Sequence, residues 1–520
     1  MPTSPQRTRV VRDRGFLSLN LVDFSGGVNL RDALTELGLN ESPSLWNVTV
    51  NERGGIEKRL GYVKWNASTI PNPVTRSYYS RVADLLLHYS QADGKLYSDP
   101  GTGVLTLRRT WTAGFQADVV DFAGKVYAIH PTDGLYTSTN GVTWTAVTAT
   151  SGTTPHGSLI AVWQNKLWTN DSAVATRLNF SAAGDATKWD PADGAGSNDI
   201  REGRDGEAPL VALFGATGVD YQTNPSLLVF KQRSCHRVTD SSTGAYVTID
   251  GATGAAGQNA AAAAYGRIYT VTAQGIFETD GLSPLIPVGD KLQKQFTPAA
   301  MDYTRESGFC VGSQTGRLYF SVCRQGATAN DLCLEYNPLF KATTLRSDAA
   351  GVYVSYTKNA DTLLGASPST GQLYRMNSGG SDDSADIESW FSTKVLEPVS
   401  GRMSRLQHLR VLGRGTNLTV SILPDFQTSG FEYTVTIVGE GFEWDSDGWD
   451  DPDVGWGEDI VEGYDDLWPR KVGRSFQIRV DEKSSLTGIA PPLPGEGVAQ
   501  TVGAWALLGL ELDLTQLTPV

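Results

Sequence analysis

Residues 118–147, DVVDFAGKVYAIHPTDGLYTSTNGVTWTAV, decide the fold class of this chain. Apolar and polar residues alternate over short runs, and Ala-Gly, Thr-Asp-Gly and Asn-Gly separate the runs. A period of two places one face of each run on a core. Gly or Asn at the connections supplies the positive φ of tight hairpins. The pattern predicts four strands, at 118–122, 125–130, 134–139 and 143–147. Four antiparallel strands in succession make a β-propeller blade.

Outward from this unit, 158–189 repeats the order through SLIAVW, KLWTND, TRLNFSA and a closing Trp189. One strand opening, Gly-basic-apolar-aromatic, recurs along the chain. It reads GKLYS at 94, GKVYA at 124, NKLWT at 165, GRIYT at 266, GRLYF at 316 and GQLYR at 371, with PSLLVFK filling the gap at 225. Spacings of 30 to 55 residues suit propeller blades. Seven candidate units start near 77, 118, 158, 208, 260, 300 and 350. Radial closure lets so much strand avoid long exposed edges.

The alternation changes after about residue 385. DIESWFSTKVLEP, MSRLQHLRVLGRG, NLTVSILP and FEYTVTIVG read as strands of a sandwich or barrel, and RSFQIRVDEK and WALLGLELDLTQL resume it. The expected fold is therefore all-β: an irregular multi-bladed β-propeller over 76–384 and a C-terminal β-sandwich or barrel-like domain over 385–520. Residues 1–75 read as an N-terminal arm and a β-hairpin strap, with 47–50 pairing to 56–59 across 51–55. A short helix is expected at Ser42-Pro43, with serine as cap and proline in the first turn.

The 520 residues are 40% apolar and 19% charged, as in a folded protein of more than one domain. A net charge of −14 argues against a nucleic-acid binder that neutralises phosphates with clustered Lys and Arg. Four cysteines (235, 310, 323 and 333) form no CxxC pair and no zinc spacing, and read as buried free thiols. There is no apolar leader and no run long enough to span a membrane, so folding in a reducing cytoplasm is expected.

No GxSxG, Walker-type, HExxH or strand-linked GxGxxG motif occurs. His88, His130, His156, His236 and His408 are scattered and read as ordinary strand or loop residues. No catalytic or cofactor-binding residue is assigned, and the expectation is a chain that is not an enzyme and carries no cofactor. Two anomalies remain. The arginines at 7, 9, 12 and 14 (Arg7, Arg9, Arg12, Arg14) stand out in an acidic chain, either as a solvated terminus or as an arm for an acidic partner. The insertion 440–468 has twelve Asp or Glu residues, no Lys or Arg, and tryptophans at 444, 449, 456 and 468. There Asp445, Asp447 and Asp450 have the oxygen spacing of a calcium loop without the full EF-hand pattern. The same stretch also reads as a solvated loop, or as a partner contact through Trp444, Trp449 and Trp456.

Segment 24–62, FSGGVNLRDALTELGLNESPSLWNVTVNERGGIEKRLGY, carries a resemblance. Gly26-Gly27-Val28-Asn29, then Asn40, Glu41, Pro43, Leu45, Asn47 and Val48, then Gly55, Ile56, Lys58, Arg59, Gly61 and Tyr62 resemble the N-terminal signature of the tail nozzle, or tail tubular, proteins of short-tailed bacteriophages. Leu60 departs from the pattern, which has proline there. RLNFSAAGDATKW at 177–189 also resembles part of nozzle propellers, and STNGVTW at 138–144 is similar to the Asp-box turn of sialidase-type propellers. The resemblance implies a structural virion protein, assembled in the host cytoplasm and located in the tail. It implies a homohexameric ring below a tail adaptor ring protein, with tail fibres or tip proteins as further partners and genomic DNA passing through without sequence-specific binding. The alternatives are a glycan-binding or glycan-cleaving propeller tail protein, or a minor tail protein of a long-tailed phage.

Overall fold

The computed structural model describes residues 9–13, 16–215, 226–346, 353–359, 362–398, 402–427, 429–437, 463–482 and 506–516. The chain divides into two compact units. One contains 62–338 and 347–378; the other contains the N-terminal 61 residues, 339–346 and everything from 379 onward. The strap and the C-terminal strands, read as separate domains along the sequence, thus belong to one unit.

The first unit is the propeller. Asp118–Phe122, Lys125–His130, Gly134–Ser138 and Thr145–Ala146 form one four-stranded antiparallel sheet. Five further four-stranded sheets lie at 76–110, 160–199, 212–250, 261–287 and 355–376, the last completed from elsewhere in the chain. A three-stranded antiparallel set, Cys310–Gln314, Arg317–Val322 and Leu332–Asn337, falls between the last two. The first strands of the sheets sit side by side. Asp118–Phe122 lies between Arg76–Ser80 and Ile160–Trp163, and Ser355–Asn359 returns to Arg76–Ser80, so the ring closes.

The recurrent Gly-basic opening has a backbone cause. Ala123-Gly124, Gln164-Asn165, Tyr265-Gly266 and Thr315-Gly316 all have both φ angles positive, between 46° and 76°. Two successive positive φ angles define the type I′ hairpin, whose twist matches the flanking strands. The motif opens the second strand of its sheet at 125, 166, 267 and 317. At 95 and 373 it opens the third. Side chains between sheets make the core: Leu87, Leu96, Trp111, Val119, Val126 and Trp144 form one cluster. Trp163, Trp168, Phe180, Leu227 and Val229 belong to another. Each such side chain contributes roughly 1.5–3 kcal/mol by leaving water.

Ring closure uses a strand from far upstream. Tyr62–Lys64 supplies the fourth strand of the last sheet, pairing Tyr62 with Met376, Val63 with Arg375 and Lys64 with Tyr374. Asn66, fully buried, locks it. Its Oδ1 accepts from the Leu373 backbone N–H and from Gln372 Nε2, both at 2.7 Å. Its Nδ2 donates to the Gly371 carbonyl at 3.1 Å.

Two turns share one side-chain design. Asn140 Oδ1 accepts from the Val142 and Thr143 N–H groups at 2.9 and 3.1 Å, while Trp144 Nε1–H donates to the Gly141 carbonyl at 3.2 Å. Asp185 Oδ1 accepts from the Thr187 N–H at 2.9 Å, while Trp189 Nε1–H donates to the Ala186 carbonyl at 2.8 Å. An acceptor four residues before a tryptophan therefore fixes the ring over its own sheet. This is the physical content of the Asp-box-like segment.

The second unit is a β domain. Its strand order is Arg9–Asp13, Phe16–Leu21, Ala506–Gln516, Ser404–Pro424, Phe476–Glu482, Ser389–Ser392, Ser44–Trp46 and Ala342–Arg346. Ser404–Pro424 is long enough to serve two neighbourhoods. Its first half pairs with Ala506–Gln516 and Gly463–Leu467, and its second with Phe476–Glu482 and Phe431–Ile437. The strap forms as a hairpin: Val48–Val50 pairs with Ile56–Lys58, and Val48, Val50 and Ile56 are buried.

Ser42 does not cap a helix. Glu41–Ser42 is a short strand parallel to Gly27–Val28, and the Ser42 hydroxyl donates to the Ser392 carbonyl at 2.6 Å. Its oxygen still accepts the Ser44 backbone N–H at 3.0 Å, but the chain runs on as the strand Ser44–Trp46 instead of turning into a helix. The four cysteines are buried free thiols.

Candidate functional site

The most developed polar surface of the β domain lies where Ser404–Pro424 meets two partners. On one side Leu409 pairs with Leu467, Arg410 with Asp466 and Leu412 with Tyr464. On the other, His408 pairs with Asp513 and Arg410 with Glu511. Leu409, Val411, Leu510, Leu512 and Leu514 are buried. Alternation therefore puts His408, Arg410, Tyr464, Asp466, Glu511 and Asp513 together on the opposite face.

These side chains hold one another. Asp466 Oδ1 lies 2.8 Å from both His408 Nε2 and Arg410 Nε, and Asp466 Oδ2 accepts from the second Arg410 nitrogen at 3.2 Å. His408 Nδ1 lies 3.3 Å from Asp513 Oδ2. The Arg410 guanidinium also sits 4.4 Å above the Tyr464 ring, and the His408 ring packs 4.5 Å from Trp468. Hydrogen bonding from Arg410 holds the Asp466 carboxyl below its ordinary value, with His408 adding to the effect. The same bond raises Arg410 above its own. Yet both aromatic rings remain open: Trp468 is 65% exposed and Tyr464 58%.

Two other polar centres lie in the propeller. Around His236, the Ser234 hydroxyl donates to Asp205 Oδ1 at 2.6 Å and lies 3.0 Å from His236 Nε2. His236 Nδ1 lies 3.0 Å from the Thr248 hydroxyl, which donates to Glu202 at 2.7 Å. Serine, histidine and aspartate are all present, but in a different order from a nucleophile–base–orienter triad, where histidine stands between the other two. Burial pushes His236 down to about 4. An open cleft of about 430 Å³ is lined by His156, Asp171, Asn179 and Trp189.

Arg9 and Arg12 belong to the backbone of an edge strand, Arg9–Asp13, paired to Phe16–Leu21, rather than to a free arm. Their side chains, and Arg7 and Arg14 altogether, lie outside the described residues. So do Asp445, Asp447 and Asp450 and Trp444, Trp449 and Trp456. Among the described residues no group of His, Cys, Asp or Glu could hold a metal ion, and no helix is long and apolar enough to cross a membrane. Sequence reasoning singled out the acidic, tryptophan-bearing insertion, whose end supplies Asp466 and Trp468. It missed His408, Arg410, Glu511 and Asp513, which only strand register brings beside them.

No protein-family model matches the chain, and no curated protein does. Solved structures do. A streptogramin B lyase is 12% identical, covering 61% of this chain and 97% of the lyase, with a TM-score of 0.40. Virginiamycin B lyase from Staphylococcus aureus is 12% identical over 61% of this chain and 98% of that one, with a TM-score of 0.42. YCF48 from Cyanidioschyzon merolae is 9% identical over 61% and 98%, with a TM-score of 0.38. These are propeller proteins, and the fold of this chain rests on its own sheets. One expectation is corrected here. Since lyases stand among the propellers this chain is similar to, the reading of the chain as a non-enzyme is withdrawn. Likeness at 12% identity shows no activity for this chain either.

Proposed function

We propose that this protein is a virion component at the distal end of a phage tail, a ring-forming nozzle subunit through which DNA passes. The observation that carries the reading is the role of the signature residues at 24–62. Lys58 pairs with Glu482 at 2.6 Å, and Arg59 with Asp382, both buried. A Cβ on Gly61 would collide with the Ser381 carbonyl oxygen. Tyr62 opens the strand that closes the propeller. A pattern whose members each answer a separate structural demand is a fold determinant, which is what a resemblance to a family of such subunits requires.

Charge agrees with a conduit. With −14 per chain, a ring of copies is strongly acidic, and carboxylates facing a lumen repel phosphates instead of binding them. DNA would then slide without the adhesion that counterion release drives. The test is the mass of the purified protein together with its position in tailed particles. A six-fold ring at the tail end supports the reading. A protein that stays monomeric and is missing from the tail end overturns it.

A further inference from the structure

We propose that the face built by Tyr464, Asp466, Trp468, His408, Arg410 and Asp513 is a binding site for neutral oligosaccharides. The inference concerns this face of the β domain alone and is independent of the nozzle reading.

Three observations carry it. First, two aromatic rings are more than half exposed although each is held on one side by a cationic or imidazole partner, Tyr464 by Arg410 and Trp468 by His408. A ring fixed on one face and open on the other is a platform, and the apolar C–H face of a pyranose stacks on such a surface. Second, the two rings stand four residues apart along an extended segment, about 13 Å. That spacing suits an oligosaccharide of two or three rings better than a single sugar. Between them sits Asp466, whose carboxylate has about four acceptor sites. Three are used by His408 and Arg410, leaving acceptor capacity for a sugar hydroxyl. Asp513, half exposed, offers further acceptors beside it.

Third, the charge of the face selects among glycans. Asp466, Glu511 and Asp513 outnumber the single guanidinium of Arg410. A uronic acid, sialic acid or phosphate would meet net repulsion there, whereas hydroxyl-rich neutral sugars donate to carboxylates. The mutual hydrogen bonds of His408, Arg410 and Asp466 hold the polar groups in place before a ligand arrives, which reduces the entropy lost on binding.

The experiment is a glycan array probed with the full-length protein, holding neutral hexose and N-acetylhexosamine oligomers beside sialylated and uronate-containing ones. Titration calorimetry on the best neutral binder then compares wild type with Trp468→Ala, Tyr464→Ala and Trp468→Phe. The expected result is binding to neutral oligomers, weakened about tenfold or more by either alanine and largely kept by phenylalanine. Both rings are exposed, so the variants should unfold at the wild-type temperature, which a melting curve checks. Several outcomes overturn the proposal: no neutral glycan bound, acidic glycans preferred, or binding unmoved by both alanine variants. So does a change in oligomeric mass in Trp468→Ala without glycan binding, because the face would then be a contact between copies.

Discussion

Arg59 and Asp382, 323 positions apart in sequence, form a two-pronged ion pair sealed from solvent. The guanidinium nitrogens lie 2.8 and 2.5 Å from the two carboxylate oxygens, and both side chains are at most 3% exposed. Arg59 Nε also donates to Asn47 Oδ1 at 2.8 Å, and Asn47 takes the left-handed backbone conformation with φ 53°. Removing one member leaves a buried charge alone, which destabilises by roughly 3–5 kcal/mol. Asp382→Asn and Arg59→Met should each lower the urea midpoint of the β domain strongly. The double variant should lose much less than the sum, and a double-mutant cycle measures the coupling.

The buried amide of Asn66 is the second target. Asn66→Ala removes the acceptor of the Leu373 N–H and Gln372, along with the donor to the Gly371 carbonyl, in a place water does not reach. Each buried polar group left without a partner costs about 1–3 kcal/mol. The propeller should lose stability, and hydrogen exchange should quicken first at Leu373–Met376 and Tyr62–Lys64. An unchanged exchange pattern would show that closure does not depend on this lock.

Trp168 is wholly buried, 4.7 Å from the ring of Phe180, and its Nε1–H donates to the Trp163 carbonyl at 3.1 Å. Trp168→Ala should destabilise the propeller by roughly 3–5 kcal/mol through the cavity it leaves. Trp168→Phe should lose a smaller amount. Thermal melts of the two variants rank them directly.

Acid should weaken the propeller over a defined window. Burial lowers His88 from 6.5 to about 4, with Asp99 opposing. It lowers His236 to about 4 as well, where Lys231 adds to the effect and Asp205 and Glu202 oppose it. Between pH 6.5 and 4 the unfolded chain binds more protons than the folded one, so stability falls as pH drops through that range and levels off below it. Each histidine contributes up to about 3 kcal/mol to this loss. Denaturation midpoints at pH 7, 5.5 and 4.5 should descend, and His236→Gln should flatten the slope.

Much of the fold was legible because blade strands pair locally. Six of the seven expected units, near 77, 118, 158, 208, 260 and 350, correspond to four-stranded sheets whose first strands begin at Arg76, Asp118, Ile160, Ala212, Ala261 and Ser355. The seventh, near 300, is the three-stranded set that opens at Cys310 and not a four-stranded sheet of its own. Their turns advertise themselves through Gly and Asn at positive φ. Closure by Tyr62–Lys64 was not legible, since nothing in a three-residue run names a partner some 300 residues downstream. The candidate site was half legible. Composition flagged the stretch that ends in Asp466 and Trp468, but His408 read as an ordinary strand residue.

By itself, the sequence of this protein determined its strands, its hairpins and the repeat that makes a propeller, because hydrophobic alternation and turn chemistry act over a few residues. Tertiary structure alone decided which strand closes the ring, that Lys58 and Arg59 meet Glu482 and Asp382, and that His408 and Arg410 stand beside Asp466 and Asp513. Those choices depend on register between distant strands. A shift of one residue would turn each of these side chains to the other face of its sheet.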